Sequence, residues 1–191
     1  MVCDALEYGE QSIILRKGGI HEGRTGFSFD HEKFVLFPTL FHEQAKHLKG
    51  QRSLTHPNKQ DTEHQPGNRI TIKCWAELKY VWNITCWETI EKLDPYHIWT
   101  LKTVRDRFEW SESAGSKPGI KMALLRTYKL KQPWHIQYQK KYGGCRSWLK
   151  LKGFEQKLCQ SRTPVIDNQH HESTLEKLKE IAGSADAQRQ S

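Results

Sequence analysis

Residues 70–82 read ITIKCWAELKYVW, and every even position is apolar or aromatic: Ile70, Ile72, Cys74, Ala76, Leu78, Tyr80 and Trp82. Strict alternation describes a half-buried strand, because successive side chains of a pleated chain point to opposite sides. The run is long for one strand, so a bulge within it is expected. Its odd positions, Lys73, Trp75, Glu77 and Lys79, define the outward face.

Shorter signals flank this run. Upstream, 11–17 reads as a buried strand around Ile13, Ile14 and Leu15, closed by Gly18-Gly19. A second strand, 34–37, ends at Pro38, and Thr39 is placed to cap a helix through His42 and His47 that stops at Gly50. Between 51 and 68 almost nothing is apolar and Pro57, Pro66 and Gly67 interrupt, which predicts a long polar loop. Downstream, Thr85-x-x-Glu88 has the form of a capping box before a short helix with Cys86, Ile90 and Leu93 on one side. Thr100 can cap a helix whose Leu101, Val104 and Phe108 share a face. Alternation returns at 120–130, interrupted by Arg126, and at 145–151; Ser173-x-x-Glu176 then opens a terminal amphipathic helix using Leu175, Leu178 and Ile181. The elements lack regular βαβ order, so the expected fold is α+β: a largely antiparallel, curved sheet with a few short helices and a C-terminal amphipathic helix. One domain over 1–182 and a flexible tail over 183–191 complete the expectation.

The chain has 191 residues, a formal net charge of +8, and 7 Trp, 7 Phe and 6 Tyr, too many aromatics for a disordered chain. The charge is unevenly spread: 1–100 holds 12 basic and 13 acidic side chains, whereas 101–162 holds 15 and 4. No apolar run reaches the ~20 residues that span a bilayer. The N-terminal ten residues carry Asp4, Glu7 and Glu10 and no signal-peptide pattern, so a cytoplasmic location is expected. Five scattered cysteines without a Cys-x-x-Cys pair read as reduced thiols, mostly buried.

The charge pattern points to a polyanion. If the strands at 70–82 and 145–151 are neighbours, one sheet face presents Lys73, Trp75, Lys79, Arg146, Trp148, Lys150 and Lys152. Cations gain affinity for phosphates by releasing counterions, and exposed indoles stack on bases, so these seven are candidate nucleic-acid contacts. The opposing reading is that helices cover this face and both tryptophans belong to the core. Arg16 and Lys17, beside Gly18-Gly19, are candidate phosphate contacts. An enzymatic alternative is a metal-dependent nuclease, with Glu22, His31, Glu77 and Lys79 as weak catalytic candidates; Glu77-Leu78-Lys79 matches the Glu-x-Lys of restriction-type nucleases. No metal-ligand spacing, Walker loop, Rossmann fingerprint or nucleophile elbow is present, so no cofactor is expected unless the nuclease reading brings a divalent ion. A third alternative is a structural or interaction protein whose positive patch meets an acidic partner.

Two groups of motifs resemble a known family. Arg16-Lys17-Gly18-Gly19-Ile20, Glu22, Phe27, His31, Phe37-Pro38-Thr39 and His42 form the first. His97-Ile98-Trp99-Thr100 and Tyr142-x-Gly144-Cys145-x-Ser147-Trp148 form the second. Together they resemble the bacterial domain of unknown function family 1802, from about Ala5 to about Ile181. In that family further residues, a Trp among them, usually precede the pair that Ala5-Leu6 matches. The family has no established activity. Its relatives sometimes occur beside restriction-type nuclease domains, so the resemblance implies a setting in restriction or defence, with a nuclease or restriction partner, for the accessory nucleic-acid-binding module that the charge pattern suggests.

Overall fold

The computed structural model describes residues 1–16, 32–38, 47–50, 67–113, 118–142, 148–149, 151, 153–155, 163–183 and 188–189. Most of the helix expected from Thr39 and nearly all of the 51–68 loop lie outside them; at the described end of that helix, Leu48 makes an antiparallel bridge to Trp99 instead. Among the described residues seven strands form one sheet: β1 (Ile13–Arg16), β2 (Lys33–Leu36), β3 (Arg69–Ile84), β4 (Ile120–Gln137), β5 (Trp148–Leu149), β6 (Thr163–Pro164) and β7 (Gln188–Arg189). Four α-helices among those residues accompany them: α1 (Val2–Glu7), α2 (Trp87–Lys92), α3 (Leu101–Ser113) and α4 (Asn168–Ala182). The main path runs β1-β4-β3-β2-β5, and every pairing is antiparallel. The fold is α+β, as expected. Among the described residues no helix is long and apolar enough to cross a membrane.

β3 and β4 form a long central ribbon that carries short strands on both outer edges. β1 and β6 pair with β4, while β2 and β7 pair with β3. The β7 pairing, Gln188 with Val81 and Arg189 with Tyr80, joins part of the tail to the sheet. β4 continues beyond 130 to Gln137, through Pro133. Proline is tolerated there because 130–133 lie in a gap of the β3–β4 register, where no ladder N–H is required.

The expected bulge in β3 occurs twice, between Ile72 and Cys74 and between Leu78 and Tyr80. Each slips the alternation by one residue, so the even positions do not share one side. Ile70, Ile72 and Trp75 join one cluster with Tyr128, Leu130, Trp134 and Ile136 of β4. Cys74, Ala76, Leu78 and Val81 pack with Phe34, Leu36 and Leu125. Trp82 and Ile84, with Tyr80 against them, pack with Ile120, Met122 and Leu124. On β4, whose alternation is unbroken, the first and third clusters fall on the even positions. One sheet face therefore runs Ile70, Ile72, Trp75, Glu77, Tyr80, Trp82, Ile84, and the opposite face carries Cys74, Ala76 and Leu78.

Helices α2, α3 and α4 cover the Trp82 end through Ile90, Val104, Phe108 and Leu178. Two caps differ from the sequence reading, and the third helix differs only in its face. α2 is capped at Cys86 rather than Thr85, with no side-chain cap bond, and Cys86 is exposed. α4 begins at Asn168, five residues before Ser173, because the Asp167 carboxylate accepts from the His170 N–H at 2.8 Å. Thr100 does cap α3, accepting from the Thr103 N–H at 3.3 Å, but Leu101 is exposed. Among the described cysteines, Cys3, Cys74 and Cys86 are free thiols. Burial pushes Cys3 and Cys74 up to about 12, so both stay protonated at neutral pH.

Candidate nucleic-acid interface

The bulge after Ile72 decides which of the expected contact residues reach solvent. It turns Trp75 onto the core face, where the residue is 3% exposed. Its ring stacks on Tyr128 with centroids 4.3 Å apart and planes 14° from parallel, and Phe154 meets it edge-on at 6.3 Å. Trp75 is therefore a core residue, and stacking on a base is closed to it. Trp148 pairs with Leu36, whereas Leu149 pairs with Val35, the partner of Trp75. Trp148 thus sits one register step from the row that holds Trp75, and the two do not form the joint row expected of them. β5 covers only Trp148–Leu149 of the expected 145–151 strand. Arg146, Lys150 and Lys152 lie outside the described residues, as do Lys17, Glu22 and His31.

Lys73 is exposed as expected, and it has cationic company that the periodicity did not single out. Arg69, Lys129 and Lys131 are also exposed, with His135, Lys140 and Lys141 nearby along the chain. In register, Lys129 faces Cys74, His135 faces Thr71 and Gln137 faces Arg69. These positions belong to the sheet side opposite Ile70, Ile72 and Trp75. The Thr71 hydroxyl and His135 Nδ1 are 3.1 Å apart. Glu7 of α1 approaches this surface, 3.7 Å from the Lys73 ammonium. The missed signal is the odd-numbered polar series Lys129, Lys131, His135, Gln137, most of it beyond the 120–130 stretch in which alternation was expected, with Pro133 standing within it.

Glu77 and Lys79 are brought together, but with each other. The Lys79 ammonium lies 2.9 Å from Glu77 Oε2, and the Tyr128 hydroxyl donates to the same oxygen at 3.4 Å. Glu77 pairs in register with Arg126, which is 5% exposed. Arg126 donates through Nη1 to the Asp167 carbonyl at 3.0 Å and through Nη2 to Asn168 Oδ1 at 2.7 Å. The interruption seen at Arg126 in the alternation is thus an anchor that ties the start of α4 to the sheet. His171 of α4 is pushed down to about 4, by burial and then by the charges of Arg126 and Lys79. Among the described residues no group of three or more His, Cys, Asp or Glu is placed to hold a metal ion.

Arg16 ends β1, paired in register with Lys121. Its charge acts on Arg107 of α3, which burial, and then Arg16, push down to about 10.

The chain belongs to the family described as a domain of unknown function, DUF1802, whose model matches residues 1–177. No curated protein and no solved structure matches it.

Proposed function

We propose that this member of the DUF1802 family is a nucleic-acid-binding module of the bacterial cytoplasm, accessory to a restriction or defence system. The observation that carries the binding is the exposed cationic row Arg69, Lys73, Lys129 and Lys131 on the ribbon face turned away from Trp75. Two of its four members, Lys129 and Lys131, fall within the stretch 101–162, where basic residues outnumber acidic ones 15 to 4. Flexible ammonium and guanidinium groups at a strand surface suit phosphates spaced along a backbone, and they carry no base code of their own. With Trp75 in the core, the binding rests on phosphate contact, so little sequence preference is expected. The restriction or defence setting, and the nuclease partner that goes with it, rest on the family resemblance alone. The binding reading is preferred over a nuclease at Glu77, because that carboxylate is already engaged by Lys79 and Tyr128.

The test is a titration of labelled DNA and RNA against the full chain across salt. Affinity should fall steeply between about 50 and 200 mM salt. Binding that stays flat across that range, or survives unchanged when Lys129 and Lys131 are both replaced by Glu, overturns the proposal. Incubation with plasmid and magnesium or manganese addresses the nuclease alternative: cleavage abolished by Glu77→Gln would replace the binding reading with an enzymatic one.

A further inference from the structure

An open aromatic ring stands beside the cationic row, and α1 supplies it. α1 lies on the same side of the sheet as the row: Leu6, fully buried, packs with Cys74, Ala76 and Leu78, and Cys3 packs against the same cluster. The Cys3 thiol also donates to the Phe37 carbonyl at 3.4 Å. α1 thus covers the apolar part of that face, and its last residue, Glu7, meets the row at Lys73. Tyr8 follows as the C-cap and is 56% exposed. Among the described residues the other exposed large apolar side chain is Leu101, far along the chain at the start of α3. Among the described residues no ring, cation or hydrogen-bonding group engages the side chain of Tyr8.

Both chain neighbours of Tyr8 are tied to the Lys73 and Lys129 end of the row. Before it, Glu7 Oε2 lies 3.7 Å from the Lys73 ammonium. After it, Gly9 turns at φ +73°, and a Cβ placed there would come within 3.3 Å of the Val165 and Ile166 side chains. Those two residues follow β6, whose Thr163 pairs in register with Lys129, and the Val165 amide donates to the Thr127 carbonyl at 2.9 Å. The Tyr8 amide itself donates to the Asp4 carbonyl at 2.8 Å. The backbone that carries the ring is therefore held in place, so a base settling on it orders little that is not already ordered. The nearest carboxylates are engaged, Glu7 by Lys73 and Asp4 by the Met1 ammonium at 2.6 Å, which moderates their repulsion of a polyanion.

Trp75 is closed to stacking, but the row does not lack a ring for it. We propose that Tyr8 is the stacking residue of this surface: a base lies on its ring while the flanking phosphates lie on Lys73 and Lys129, so the row takes single-stranded nucleic acid in preference to duplex. The inference rests on the binding proposed above and adds the substrate class to it. Bases in a duplex are stacked on one another and offer a surface ring no free face, whereas a single strand can turn a base onto it. Every base has such a face, so the ring selects strandedness and not sequence.

The probes are a labelled oligo-dT strand and a labelled duplex of the same length, titrated with the full chain at one low salt concentration. The wild type should hold the strand more tightly than the duplex. Tyr8→Ala should weaken strand binding by about 5- to 150-fold and leave duplex binding nearly unchanged. Tyr8→Phe keeps the ring and should keep most of the strand affinity. The side chain is exposed, so all three proteins should share one unfolding curve, and that measurement separates lost stacking from lost structure. If Tyr8→Ala binds the strand as the wild type does, or loses strand and duplex equally, the stacking role is overturned while the phosphate-contact reading stands. A wild type that prefers the duplex overturns it too. If neither probe binds, the reading beneath it fails and takes this inference with it.

Discussion

At one end of the β3–β4 ribbon, Trp82 and Ile84 face Met122 and Ile120 beneath three helices. At the other, Ile70 and Ile72 face Ile136 and Trp134, while the reverse side shows Arg69, Lys73, Lys129 and Lys131 to solvent. Both ends use the same two strands and the same alternation, yet one is sealed and the other is half open. Periodicity says which residues share a side. It does not say what lies on top, and that cover separates the part of the ribbon that holds the fold together from the part that can meet a partner.

The contrast can be broken most forcefully at the sealed end. Trp82 is 0% exposed, and Trp82→Ala should cost about 3–5 kcal/mol in urea unfolding. A loss below ~1 kcal/mol would mean the helices do not pack there as described. Acid comes next. Burial, and then Lys49, pushes His97 down to about 4, with Asp94 and a backbone contact at Trp99 acting the other way. The unfolded ring takes up its proton near pH 6.5, so between about 6.5 and 4 the unfolded state binds more protons. Stability from this group is thus present above pH 6.5 and drains away as pH falls toward 4, a change on the order of 3 kcal/mol. His171 adds in the same sense. His97→Gln should flatten part of that pH dependence, and a curve as steep as the wild type's would show that the ring is not held neutral by burial.

At the junction of the two ends, Arg126→Met should cost about 2 kcal/mol and lower hydrogen-exchange protection along α4, since two bonds to Asp167 and Asn168 vanish. Unchanged protection of α4 would deny Arg126 its anchoring role. The open end should respond least in stability. Lys129→Glu with Lys131→Glu should move unfolding by no more than about 0.5 kcal/mol, yet lower the salt slope of DNA binding by about 2. A slope that does not move would remove these lysines from the interface.

Much of the framework was legible from residue order. The long β3 follows from apolar alternation, and β1 and β2 follow from short apolar runs closed by Gly18-Gly19 and Pro38. So do the core roles of Ile90, Leu93, Val104 and Leu178. The side taken by Trp75 was not legible, because a bulge depends on what the partner strand does. The partner here carries the 130–133 gap, which no count along β3 reveals. Arg126 could be seen to interrupt a face, but its bonds cross 41 and 42 residues to α4, beyond any local pattern.

The two irregularities in β3, at Lys73 and Lys79, also fix the length of the chain there. Deleting Lys73 would take out the extra residue and leave Trp75 and Glu77 on their present face, whereas an uninterrupted zigzag with Lys73 kept would roll over everything between the slips: Trp75 and Glu77 would swing out, and Cys74, Ala76 and Leu78 would exchange places with them. No point substitution nearby undoes such a rollover. A residue gained or lost between the two slips, by contrast, would turn over the side chains beyond it, so changes of length there, more than substitutions, are what this strand resists.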